Sequence, residues 1–208
     1  MDLNATDLRS YLLDQLLPLW AASGRDERFG GFESKLSHTL EPVAADTKRV
    51  LVQARQLWTF SRAASDAGVP EFRRLADRQF EFLVDRCRDA ENGGWFAILT
   101  SAGQPQDRSK DTYIHAFVLF ALAEYFALSR ESRALEEAEH TIEVLDSKLS
   151  DSFGRGYLES ASHDWIPDPA MRRQNPHMHL LEAFLALYEA TGDPAHLDSA
   201  GRMIELFR

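Results

Sequence analysis

A glycine-glycine-aromatic element recurs along the chain, at Gly30-Gly31-Phe32, at Gly93-Gly94-Trp95 and, in degenerate form, at Gly154-Arg155-Gly156-Tyr157. Its aromatic residues are 63 and then 62 residues apart. Each interval holds two helices of ordinary length joined by a turn, so the expected repeating unit is a helical hairpin.

The helical stretches are of two alternating kinds. Those around 6–22, 71–88, 131–149 and 195–207 are amphipathic. In the second of them Phe72, Leu75, Ala76, Phe80 and Leu83 form one stripe, and Arg73, Arg74, Asp77, Arg78, Glu81 and Asp85 fill the opposite face. Such helices cover an outside. Those around 47–66, 110–128 and 173–191 are apolar nearly all round, as in IHAFVLFALA at 114–123, and are expected to line an inner ring. Outer and inner helices in alternation make a double-layered all-α toroid. Seven helices are about half of the twelve that close a ring of six hairpins. The chain, read as a single domain over 1–208, is therefore expected to be the N-terminal half of an (α/α)6 barrel that stops before closure, with open apolar edges that offer a route to self-association.

Connection lengths locate the active end. Inner-to-outer links are short and carry Gly68-Val69-Pro70 and Gly192-Asp193-Pro194, whereas every outer-to-inner link is long and holds the Gly-aromatic element. The long loops therefore gather at one mouth, beside the N-termini of the inner helices, where free N–H groups favour developing negative charge.

The balance of 33 acidic against 23 basic residues, a net charge of −10, opposes binding to nucleic acid or an anionic membrane. A lone cysteine, Cys87, forms no internal disulfide and suits a reducing compartment. The N-terminus lacks the pattern of a signal peptide and no apolar run approaches a membrane span, so the expected location is cytoplasmic.

On mostly buried helices the informative residues are polar. Arg55 sits in VLVQARQLWTF at 50–60, about nine residues in from Asp46 and so roughly two turns below the mouth at ~1.5 Å per residue. A guanidinium buried there needs a partner, either an ion pair or sugar hydroxyls. In RRQNPHMHLLE at 172–182, Asn175, His179 and Glu182 stand at i, i+4 and i+7 on one helical face. His177 and His179 are two apart and point in different directions, so no metal site is expected. Tyr113 lies near the mouth, where its hydroxyl reaches a sugar or caps the core. Among the aromatics, Trp58 is expected in the core, and Phe32 and Trp95 at the cavity rim.

VLVQARQLWTFSRA at 50–63, the GGW loop, KDTYIHAFVLFAL at 110–122 and RQNPHMHLLEAFLALYEATGD at 173–193 together resemble the N-acylglucosamine 2-epimerase family, which includes mannose isomerases. The resemblance covers essentially the whole chain. It implies a monosaccharide substrate, no cofactor, and proton transfer next to the carbonyl of an open-chain sugar through a cis-enediol. Isomerases move that proton from C2 to C1; epimerases return it to C2 from the opposite face. By the resemblance Arg55, Tyr113, Asn175 and His179 line the sugar cavity, with Glu182 beside them. His179 corresponds to a cavity histidine of binding and ring opening, while the family's acid–base pair of histidines belongs to the second half of the barrel.

Two other readings follow from the residues. An α/α-toroid glycoside hydrolase needs paired carboxylates, for which Glu182 and Asp111 are the candidates. A non-catalytic helical scaffold is disfavoured, since its units run to ~34 to ~47 residues.

Overall fold

The computed structural model describes residues 5–43, 47–151, 156–169 and 172–208. Seven helices stand among the described residues. Outer helix α1 occupies residues 5–23, with a wider turn at Leu12–Leu16. Inner helix α2 is Val50–Ala67, outer α3 is Pro70–Phe82 continued by Leu83–Cys87, and inner α4 is Thr112–Ser129. Outer α5 is Ser132–Lys148, inner α6 is Gln174–Thr191 and outer α7 is Pro194–Glu205.

Inner helices pack on inner ones in the order α2, α4, α6, and each is backed by the outer helix that follows it. This is the expected double-layered half-ring. The stripe Phe72, Leu75, Ala76, Phe80 and Leu83 is buried, as its period requires.

Two-residue links turn inner helices into outer ones. Gly68 and Gly192 end α2 and α6 in the left-handed region, and Pro70 and Pro194 open α3 and α7 at positions whose N–H has no helical partner. The third link achieves the same turn with a non-glycine residue, Arg130 at φ 58°, whose guanidinium donates to the Ala190 carbonyl at the end of α6.

Helix α4 is apolar and long enough, at 18 residues with mean hydropathy 1.4, to cross a membrane by composition alone. This corrects the reading that no run reaches that length. Its apolarity follows from its position between α2 and α6 with α5 behind it, where more than half of it is buried.

The long loops hold short strands that periodicity did not reveal. Strands β1 (Thr47–Arg49), β2 (Ile98–Thr100) and β3 (Pro105–Asp107) form an antiparallel sheet, and β4 (Lys110–Asp111) pairs with β5 (Ser160–Ala161). Residues 47–49 and 110–111, expected as first turns of inner helices, are thus strands that tie each loop to its neighbour.

At the open ends of the arc, Leu8, Tyr11 and Leu12 are exposed on one side, and Met178, Leu185, Tyr188, Leu197, Ile204 and Phe207 on the other. An apolar groove of about 670 Å³ between α1 and α2 runs along the first edge.

Candidate functional site on the concave face

The mouth loops are built three times on one plan. In each, a buried inner-helix side chain accepts the N–H of the aromatic residue: Gln53 Oε1 from Phe32, His115 Nε2 from Trp95 and His177 Nε2 from Tyr157. The acceptor comes so close that a Cβ on the preceding residue would lie 2.7, 2.5 or 2.8 Å from it, at Gly31, Gly94 and Gly156 respectively. Close approach and positive φ together explain the second glycine of the element. Gly154 and Arg155 of the third copy lie outside the described residues.

A second fastening lies under each loop. Lys48 pairs with Asp26, Lys110 with Asp89 at 2.7 Å, and Arg172 with Asp151. Asp26 and Asp89 also accept two backbone N–H groups each from their own turns. Burial works against the Asp89 charge, but the Lys110 ammonium and the Asn92 and Glu91 N–H groups outweigh it and hold the carboxyl below its ordinary range. The same burial pulls the Lys110 ammonium down from its ordinary value. The ionised pair stands at neutral pH because several directed donors act on the one carboxylate.

Phe32 and Trp95 belong to this framework. Phe32 stacks on Phe60 and the Trp95 indole donates to Thr141, and at 2% and 1% exposure neither forms a cavity rim, which corrects the expectation. Trp58 is corrected in the opposite direction. It is partly exposed beside Arg55, its ring 5.6 Å from Phe120, and it helps line a cleft of about 300 Å³ with Arg55, Thr59, Phe117 and Phe120. Loop aromatics pack here because the Gly-Gly turn folds them under the mouth, and the inner-helix face that would be core in a solid bundle is open in a half-ring.

The concave face gathers most of the sequence-selected residues around Phe117. The Arg55 guanidinium lies 4.8 Å from the Phe117 ring centre, the His179 imidazole 4.4 Å on another side, and Tyr113 5.0 Å away. Tyr113 and His179 meet edge to face at 5.2 Å, and His179 Nδ1 is 2.7 Å from Glu182 Oε2. Arg55 is exposed, so the expected buried guanidinium is corrected: an aromatic face steadies it beside the cleft. Asp46, from which its depth was counted, lies outside the described residues; counted from Val50, Arg55 is in the second turn of α2. Asn175 is exposed in the first turn of α6, one turn ahead of His179. Phe117 does not stand out in the sequence, where it reads as one more apolar residue of α4. Its place four residues after Tyr113 on the same helical face is the available signal.

Two further expectations change. The α4 N-terminus is not free for an anion, because the Asp111 carboxylate accepts the Tyr113 and Ile114 N–H groups. Asp111 caps α4 and Glu182 lies on His179, so both carboxylates of the hydrolase reading already serve other partners.

The model of the family described as N-acylglucosamine 2-epimerase matches residues 30–208. The chain belongs to the N-acylglucosamine 2-epimerase family. Among relatives, the cellobiose 2-epimerase of Ruminococcus albus is 31% identical over 198 residues, 90% of this chain and 50% of its own length. The D-mannose isomerase of Pseudomonas cannabina pv. alisalensis is 35% identical over 192 residues, 92% of this chain and 44% of the relative. The structure of cellobiose 2-epimerase from Spirochaeta thermophila superposes with a TM-score of 0.90 at 30% identity, covering 98% of this chain and 53% of that one. The chain thus spans about half the length of the epimerase-family relatives it matches, and its half-ring is half of their (α/α)6 barrel.

Proposed function

We propose that this chain forms the sugar-binding half of a cytoplasmic enzyme that isomerises or 2-epimerises a reducing sugar through an open-chain enediol. The observation that carries the reading is the convergence of Arg55, Tyr113 and His179 on Phe117, from three inner helices onto one concave surface. Relatives named for cellobiose and D-mannose make an aldose the substrate class. The cleft that Trp58 and Phe120 line beside Arg55 suits a sugar ring, whose C–H faces pack and whose hydroxyls demand donors and acceptors. Arg55 presents a rigid fork of donors to a developing enediolate oxygen. Tyr113 and Asn175 hold hydroxyls, and His179, with Glu182 beside it, exchanges a proton with the sugar. The buried, unpaired Cys87 suits a reducing compartment. The apolar residues at the two edges give the chain a surface for self-association, which its elution volume reports.

Saturation-transfer NMR with mannose, fructose and cellobiose at millimolar concentration tests the assignment. The expected result is binding of at least one sugar, weakened about tenfold or more by Arg55→Ala, as loss of a charge-assisted donor at a binding surface implies. Arg55 is exposed and fastens no loop, so the variant should keep its unfolding midpoint. Sugars that bind equally well without Arg55, or none that bind, would overturn the reading.

A further inference from the structure

The inner helices carry three histidines, and their surroundings differ in kind. His115 and His177 have both ring nitrogens on backbone: Nδ1 faces the carbonyl four residues earlier, of Asp111 and Arg173, and Nε2 accepts a loop N–H. Neither retains a lone pair, and protonation would break a loop fastening. His179 keeps one nitrogen uncommitted. Its Nδ1 meets Glu182 Oε2 at 2.7 Å, its ring is walled by Tyr113 and Phe117, and its Nε2 has no partner among the described residues.

An ionised carboxylate only accepts hydrogen bonds, so at 2.7 Å the proton of a neutral His179 ring sits on Nδ1 and the lone pair on Nε2. Glu182 is half-exposed and its hold on the ring comes from one short bond within a helical turn. The charged and titratable groups around the imidazole are Glu182 on its own helix, Tyr113 on α4 and, across the Phe117 ring, Arg55 on α2.

We infer that Glu182 is a positioning residue: it holds His179 in the Nδ1–H form and so presents Nε2 to the concave face as the proton-accepting atom. The inference rests on the proton-transfer role proposed for His179 and assigns Glu182 to that histidine in place of the sugar. When Nε2 takes a proton from the sugar, the imidazolium shares its Nδ1–H with the carboxylate, which stays ionised; the proton then returns and no oxidant or reductant is required.

Long-range 1H–15N NMR of the 208-residue chain with labelled histidine reads this directly and needs no sugar. His179→Gln assigns the signals. The expected wild-type spectrum has neutral His179 in the Nδ1–H form. Glu182→Ala should return it toward the Nε2–H form that unrestrained histidine prefers, because nothing then accepts the Nδ1 proton. Glu182→Gln, which keeps an acceptor and removes the charge, should keep the Nδ1–H form. The His115 and His177 signals should stay in place in both variants, which reports an intact fold. Wild-type His179 found in the Nε2–H form, or a tautomer unmoved by Glu182→Ala, would overturn the inference. Because no substrate is present, this outcome is independent of whether the sugars of the preceding test bind.

Discussion

Lys110→Ala is expected to destabilise the protein by about 3–5 kcal/mol, the range for removing one partner of a buried ion pair. Lys110 and Asp89 are both almost fully excluded from solvent, and the ammonium also donates to the Gly93 carbonyl at 2.8 Å. The variant leaves an uncompensated carboxylate and an orphaned carbonyl under the second mouth loop. Urea denaturation followed by circular dichroism measures the loss. The double replacement Lys110→Met with Asp89→Leu should recover much of it, because apolar groups of similar volume need no counter-charge. By contrast, Arg62→Ala, which removes an exposed partner of Asp66, should change stability by less than about 1 kcal/mol. A Lys110→Ala protein as stable as wild type would show that the Asp89 charge is satisfied without the ammonium.

The second large effect is a loss of stability in mild acid set by His115. Burial, reinforced by the neighbouring Lys110 charge, pushes the imidazole down to about 4 from its ordinary 6.5. Between those values the unfolded chain carries a proton that the folded chain refuses, so stability rises with pH across the window. The contribution is whole above pH 6.5, falls as acid is added, and is gone below about pH 4. Its size is about 3 kcal/mol, since each tenfold loss of proton affinity on folding corresponds to about 1.36 kcal/mol. The first loop supplies the control. Gln53 performs the same task there and does not titrate, since its amide oxygen accepts the Phe32 N–H and its nitrogen donates to the Phe32 carbonyl. His115→Gln is therefore expected to flatten the dependence of unfolding free energy on pH between 4 and 6.5. An unchanged slope would assign the acid sensitivity to other groups.

The alternation of amphipathic and apolar segments, with a glycine-aromatic beat near 63 residues, was enough to read the half-ring, because helical period and burial speak through many residues at once. Arg55, Tyr113, His179 and Glu182 were legible as polar groups on apolar helices, and the structure gathers them. Their surroundings were not. Whether Arg55 is buried depends on the curvature of the inner wall, which no single helix encodes. Trp58 and Trp95 exchanged their expected places for the same reason: exposure is settled by which face of a helix or loop the neighbouring hairpin covers. The short strands stayed hidden because two or three residues show no period. The loop fastenings left a fainter trace, an aspartate six positions before each aromatic residue and a cation 21 or 22 positions after that aspartate.

Each mouth loop is fastened by one side chain from the inner helix and one cation from the strand or loop before it, anchors within its own hairpin, while the short strands join it to the neighbouring loop. Grafting the tip of one loop onto another, or lengthening it, should reshape the rim while the floor around Phe117 keeps its register, so such a chain can try new ligands without first having to refold.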